Sequence, residues 1–270
     1  LKRGQKQQGT KAKVYGVFTK TDFSLKDLTS GINWRMYCSA WKVPYDSQEG
    51  KNLIAEGKAL LGEPEIISLF EAGCKIVYGL FPASSDRLQV KVGDAGFFFL
   101  RDEQSGLCLA DCIAADDTVG LFVATSSLTL DRYLKQLEKE GKTMQLLSLK
   151  LLADRLAEVL AEQAQIQLKQ LWTDEDLSFI RPAPGYPSWS DHSEKHTLFS
   201  LLDATAAIQV RLTESFAMNP PSSVCGMLIG GQNLRYFGVQ QVSEEQKALY
   251  AKRKGVSMEE LATLLGGMEY

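Results

Sequence analysis

The chain has 270 residues, of which 44% are hydrophobic and 23% charged, with a net charge of -3 at pH 7; it can bury a large core, and nothing in the balance calls for nucleic acid or an anionic membrane as partner. No apolar run reaches the roughly 18 residues of a membrane span, and no charged, apolar and small-residue series marks a signal peptide, so a cytoplasmic location is expected. The cysteines Cys38, Cys74, Cys108, Cys112 and Cys225 are odd in number and scattered, and read as buried reduced thiols rather than a disulfide framework or a metal site.

Residues 1–13 carry Lys2, Arg3, Lys6, Lys11 and Lys13 without an acid, among glutamine and glycine. They read as a flexible basic tail or linker, leaving 14–270 as one domain. Asp22, Phe23 and Ser24 lead into Leu25, Leu28 and Ile32, and Trp34, Met36, Tyr37 and Trp41 continue an aromatic-rich helical stretch to Pro44. Leu53, Ile54, Ala59, Leu60 and Leu61 keep helical spacing to Gly62, and Pro64 restarts a helix through Ile66, Ile67 and Phe70 to Gly73. The period then changes. Runs rich in Val, Ile and Phe at 75–81, 88–92, 96–100, 107–113 and 119–124, parted by Asp, Gly and Ser, predict strands of a largely antiparallel sheet.

Leu146, Leu149, Leu152, Leu156, Leu160 and Leu168 line one face of a long helix ending near Trp172. After a proline-rich loop, Asp191 and Glu194 are spaced as in a capping box that opens a helix. Residues 208–212, 223–229 and 235–242 read as strands, and 244–254 and 257–265 as closing helices. Strands in blocks, separated by helices that do not alternate with them one for one, predict an α+β fold: a twisted antiparallel β-sheet flanked by helices.

The proline-rich loop, Arg181-Pro182-Ala183-Pro184-Gly185-Tyr186-Pro187, is the most informative stretch. Its prolines fix three φ angles and push Arg181, Ala183 and Tyr186 out of the helical region, so the loop is stiff before anything binds. Ala183 keeps the N–H between two prolines, Gly185 allows close approach to the backbone, Arg181 suits a carboxylate and Tyr186 offers a ring face or a hydroxyl. Composition alone favours a rigid connector or polyproline turn over a ligand site.

Farther along stand Asp191-His192-Ser193-Glu194-Lys195, Leu212-Thr213-Glu214-Ser215-Phe216-Ala217-Met218, Ser222-Ser223-Val224-Cys225-Gly226 and Tyr250-Ala251-Lys252-Arg253-Lys254-Gly255. Upstream stand Leu152-Ala153-Asp154-Arg155-Leu156-Ala157-Glu158, Val77-Tyr78-Gly79-Leu80-Phe81-Pro82-Ala83 and Ile32-Asn33-Trp34. In this order and at these separations the series resembles the activation domain of cobalamin-dependent methionine synthase, over nearly the whole chain after the basic tail.

The resemblance implies a module that binds S-adenosylmethionine in a shallow groove and supports reductive methylation of cob(II)alamin to methylcobalamin, with a flavodoxin-type partner as electron donor. It places the ligand carboxylate at Arg181, backbone contacts at Ala183 and Gly185, aromatic contacts at Tyr186, Tyr236 and Phe237, and a carboxylate near the sulfonium at Glu158. Asn33 falls where the family usually has an aspartate that receives the ligand ammonium. The segment between Trp172 and Arg181 is shorter than usual, and Gly230-Gly231 replaces a His-Pro pair. Neither His192 nor His196 lies in the pattern that presents a cobalt ligand, so cobalamin is expected from another domain or chain. The cysteines that activate homocysteine are missing too, and the full methionine synthase reaction is not expected of this chain alone. A free-standing homologue that docks to a corrinoid protein, with altered or lost S-adenosylmethionine binding, is the alternative.

Overall fold

The computed structural model describes residues 8–173 and 176–265. Strand β1 (Gly16–Lys20) is followed by helices α1 (Leu25–Ser30), α2 (Trp34–Ala40), α3 (Gln48–Leu61) and α4 (Pro64–Gly73). Asn33 and Ser47 cap α2 and α3 by accepting from the N–H three residues on, and Pro64 sits in the first turn of α4, where a missing N–H costs no helix bond. Strands β2 (Lys75–Asp86), β3 (Gln89–Val92), β4 (Ala95–Phe98) and β5 (Asp117–Thr125) come next, then helices α5 (Asp131–Lys139) and α6 (Thr143–Gln170). The rest comprises β6 (Ser178–Ile180), α7 (Glu194–Leu202), α8 (Ala204–Ile208), β7 (Arg211–Leu212), β8 (Met218–Asn219), β9 (Ser223–Gly231), α9 (Glu244–Lys254) and α10 (Met258–Leu264).

Seven strands form one antiparallel sheet in the order β4-β3-β2-β5-β9-β6, with β1 also on β2; β7 and β8 pair separately. β5 runs along one edge of β2, and β1 and β3 share the other. The two-residue period of the strands builds two cores at once. Ile76, Tyr78, Leu80, Phe122, Ala124 and Leu228 face a core completed by α1 to α6. Val77, Val119, Leu121, Val123, Met227 and Ile229 face a second, completed by α7 and α8. With helices on both faces, β5 is buried at every residue, which is why it reads as a continuous apolar run. On α6, Leu149, Leu152, Leu156, Leu160 and Leu168 are all buried, each contributing about 2 kcal/mol through apolar area removed from water. The α+β sheet with flanking helices is the expected one.

Several local readings need correction. Within 107–113, residues Leu109–Cys112 form a 3-10 turn rather than a strand; Cys108, Leu109, Cys112 and Ile113 are buried, and burial alone gave the run its apolar character. Residues 208–212 are the end of α8 and the two-residue β7. Residues 235–242 run without a strand ladder: Val239 N donates to Pro187 O, and Gln240 N and Gln241 N donate to Asp102 Oδ1 at 2.8 and 3.0 Å. Asp191 and Glu194 are not a capping box, because Asp191 accepts from Ser193 while Glu194 pairs with Lys254; the box is at Ser257 and Glu260. Of the stretch read as a tail, 1–7 lie outside the described residues. Thr10, however, is buried against Asp117, and Ala12 bridges to Trp172.

Candidate functional site

β6 ends at Ile180 on the edge of β9, so the chain leaves the sheet at Arg181. Prolines stiffen residues 181–187, and the loop closes on itself: Tyr186 N donates to Ala183 O at 3.3 Å, Trp189 N to Tyr186 O at 2.8 Å and Gly185 N to Trp189 O at 2.7 Å. Met227 N of β9 donates to Pro182 O at 2.9 Å. Gly226 permits this approach, since a Cβ there would stand 3.0 Å from the same oxygen. Gly185 has φ +96°, and a Cβ on it would meet the His192 ring at 2.3 Å. Its role is therefore in the loop's own packing, and its N–H is already used. The Ala183 N–H, by contrast, has no protein acceptor among the described residues.

The loop, α6 and residues 236–238 enclose a groove of about 520 Å³. Arg181, Ala183 and Tyr186 line it from the loop, Glu158 from α6, and Tyr236 and Phe237 from the segment after β9. The structure thus brings together most of the residues singled out in the sequence. Gly185 lies in the loop without lining the groove. Asn33 lies outside it, exposed, with Oδ1 accepting from Met36 N at 3.1 Å as the cap of α2.

The groove's charges are available to a ligand. Arg181 is half-buried, its Nη1 only 3.4 Å from Gln165 Oε1 and its guanidinium carbon 5.8 Å from the centre of the Phe122 ring. No carboxylate lies within ion-pair distance of it among the described residues. Glu158, also half-buried, has no hydrogen-bond or ion-pair partner among them either. Tyr186 and Tyr236 are 60% and 64% exposed, and Tyr236 Oη accepts from Arg181 N at 2.6 Å. An open cation, an open anion, a free amide N–H and exposed ring faces suit a ligand that carries a carboxylate, a positive charge and a flat ring.

The model of the family described as vitamin B12 dependent methionine synthase, activation domain, matches residues 24–255. The chain belongs to this family. It is also similar to a crystal structure of the MetH reactivation domain bound to AdoHcy, with a TM-score of 0.87 and 27% identity, covering 96% of this chain and 91% of that one. Reading this activation domain by sequence missed part of the groove. Phe122 sits in a run apolar at every position, so periodicity could not mark it as floor, and Val224 and Cys225 looked like ordinary strand residues. Gln165, the polar neighbour of Arg181, lies seven residues after Glu158, two turns along α6 on the same side, and that spacing was the available signal.

Proposed function

We propose that the groove binds S-adenosylmethionine and that this activation domain uses it in the reductive methylation of cob(II)alamin to methylcobalamin. The cobalamin is brought by another domain or chain, and the electron by a flavodoxin-type donor. The observation that carries the reading is that Arg181 and Glu158, neither in an ion pair among the described residues, face one groove beside the free Ala183 N–H. The AdoHcy held by the MetH reactivation domain shares every part of S-adenosylmethionine except the methyl group and the charge it confers.

When bound, S-adenosylmethionine supplies a methyl group activated by its sulfonium. The chain's own groups then hold and orient it. Arg181 clamps the carboxylate with two parallel N–H donors, and Ala183 N–H adds a fixed backbone contact. Glu158 sets negative charge on the α6 wall, where a sulfonium or ammonium is attracted. Tyr186, Tyr236 and Phe237 offer faces to the adenine ring. Because the loop is closed by its prolines and its own hydrogen bonds, little ordering is needed on binding. Calorimetric titration of the purified chain should show saturable binding of S-adenosylmethionine and, somewhat weaker, of S-adenosylhomocysteine, which lacks the positive sulfonium. No heat at millimolar ligand would sink the reading.

Asn33 is the observation that favours the docking alternative, since its side chain is occupied as a helix cap outside the groove. The turn just before it nonetheless lies against α6, for a Cβ on Gly31 would stand 3.0 Å from Val159, the neighbour of Glu158. Asn33→Asp should keep the cap, because aspartate and asparagine cap about equally well. The added charge should tighten S-adenosylmethionine binding by about threefold to tenfold if the ligand ammonium reaches this end of α2. Unchanged affinity with unchanged stability would remove Asn33 from the site.

A further inference from the structure

Behind the ligand loop lies a lysine with no anion to match it. Lys195, on α7, is 7% exposed, and among the described residues no carboxylate is within ion-pair distance. Its Nζ donates to Phe216 O at 3.1 Å and stands 3.0 Å from His192 Nδ1. A buried cation without a counter-ion is costly, so a lysine kept there needs a use. An ammonium can only donate, so Nδ1 must accept, and the imidazole is held neutral with its proton on Nε2.

That ring is what Gly185 rests on. The missing Cβ of Gly185 leaves the space that the His192 ring fills, at the residue where the loop turns through φ +96° and Gly185 N donates to Trp189 O. Ala183 and Tyr186, which line the groove, flank this point.

We propose that Lys195 and His192 are positioning residues for the ligand loop: the Lys195 ammonium fixes the neutral Nε2–H form of His192, and that ring fixes Gly185 and with it Ala183 and Tyr186. The loop is then rigid from both sides, by its prolines in front and by a hydrogen-bonded imidazole behind. Protonating His192 would turn the Nδ1 acceptor into a donor aimed at an ammonium and release the prop. Burial first and the Lys195 charge second hold the His192 pKa below its usual 6.5, so the prop stays intact at neutral pH. The titratable groups facing the pair are Asp191, next to His192 in the segment between the loop and α7, and the thiol of Cys225 on β9.

The consequence for ligand rests on the proposed S-adenosylmethionine binding, whereas the prop itself is tested without ligand. In NMR of the whole chain labelled with 15N at histidine, His192 should show an unprotonated Nδ1 at pH 7. Lys195→Met should release that tautomer, raise the pH at which His192 takes up a proton, and speed amide exchange at Gly185 by about tenfold. It should also weaken S-adenosylmethionine binding by about tenfold, most at the acid end of the range. Lys195→Arg, which keeps a donor, should restore much of both. If Lys195→Met does not fold, His192→Asn should give the same faster exchange at Gly185. A proton on Nδ1 in the native chain, or unchanged Gly185 exchange in the variants, overturns the proposal. Faster exchange with unchanged ligand affinity overturns the positioning role. If the native chain binds no S-adenosylmethionine while the tautomer and exchange behave as stated, the prop stands and the reading of the groove falls.

Discussion

Replacing Arg181 by alanine should weaken S-adenosylmethionine binding by about 100-fold and leave the thermal midpoint nearly unchanged. In the free protein the guanidinium makes one long hydrogen bond to Gln165 and lies over Phe122, so its loss removes little from the fold. The contact that ties this residue to the far wall runs from its backbone N–H to Tyr236 Oη and survives in alanine. With ligand bound, by contrast, a bidentate pair to a partly shielded carboxylate is worth about 2–3 kcal/mol, which converts to about 30- to 150-fold in affinity. Arg181→Lys should recover only part, because a point charge lacks the planar fork. S-adenosylhomocysteine should suffer as much as S-adenosylmethionine, since both carry the carboxylate. Calorimetry on the alanine variant checks this, and an unchanged dissociation constant for both ligands would remove Arg181 from the site.

The sheet and its helices were legible because their signals are periodic. The leucines of α6 recur at helical spacing, and β2, β5 and β9 are long enough for apolar runs to stand out between Gly, Ser and Asp. The failures came where burial and secondary structure part company. Leu109 and Cys112 are as buried as any strand residue yet lie in a 3-10 turn. Val239 and Val242 are buried in a small core with Leu100, Tyr250 and Leu261, on a segment whose amides are taken by a side chain, Asp102, and by the proline loop. No local pattern announces a carboxylate more than a hundred residues away. The same holds within the site. The stiffness of the 181–187 loop comes from its prolines, whereas the work of Gly185 could not be read without knowing that the His192 ring lies against it. Asn33, read by position as a ligand contact, satisfies the start of α2, a use that its place before a helical run also allowed.

Lys254 shows how a segment remote from the groove governs the fold, and Lys254→Met should destabilise the protein by about 3–5 kcal/mol, the cost of leaving buried carboxylates without their partner. From the last turn of α9 this lysine reaches both Asp191 and Glu194, each 2% exposed, while Tyr250 Oη adds a hydrogen bond to Asp191 at 2.8 Å and Phe98 N one to Glu194 at 3.0 Å. One cation cannot fully offset two buried anions, and burial pushes the Glu194 carboxyl up from 4.5 to about 7. A carboxyl whose pKa is higher in the folded state holds its proton there while the unfolded chain has already released it. Its contribution is therefore greatest below pH 4.5 and falls as pH rises to about 7, by about 3 kcal/mol over that window. His192 acts in the opposite sense, because its lowered pKa makes stability fall as pH drops below 6.5. The difference between wild type and Glu194→Gln in urea unfolding at each pH isolates the glutamate: the variant should gain relative stability steadily from pH 4.5 to 7 and no further above it. Glu194→Gln should also recover part of the loss in Lys254→Met, since only Asp191 is then left unpaired. A difference independent of pH would show that Glu194 is ionised throughout and that Lys254 neutralises both carboxylates.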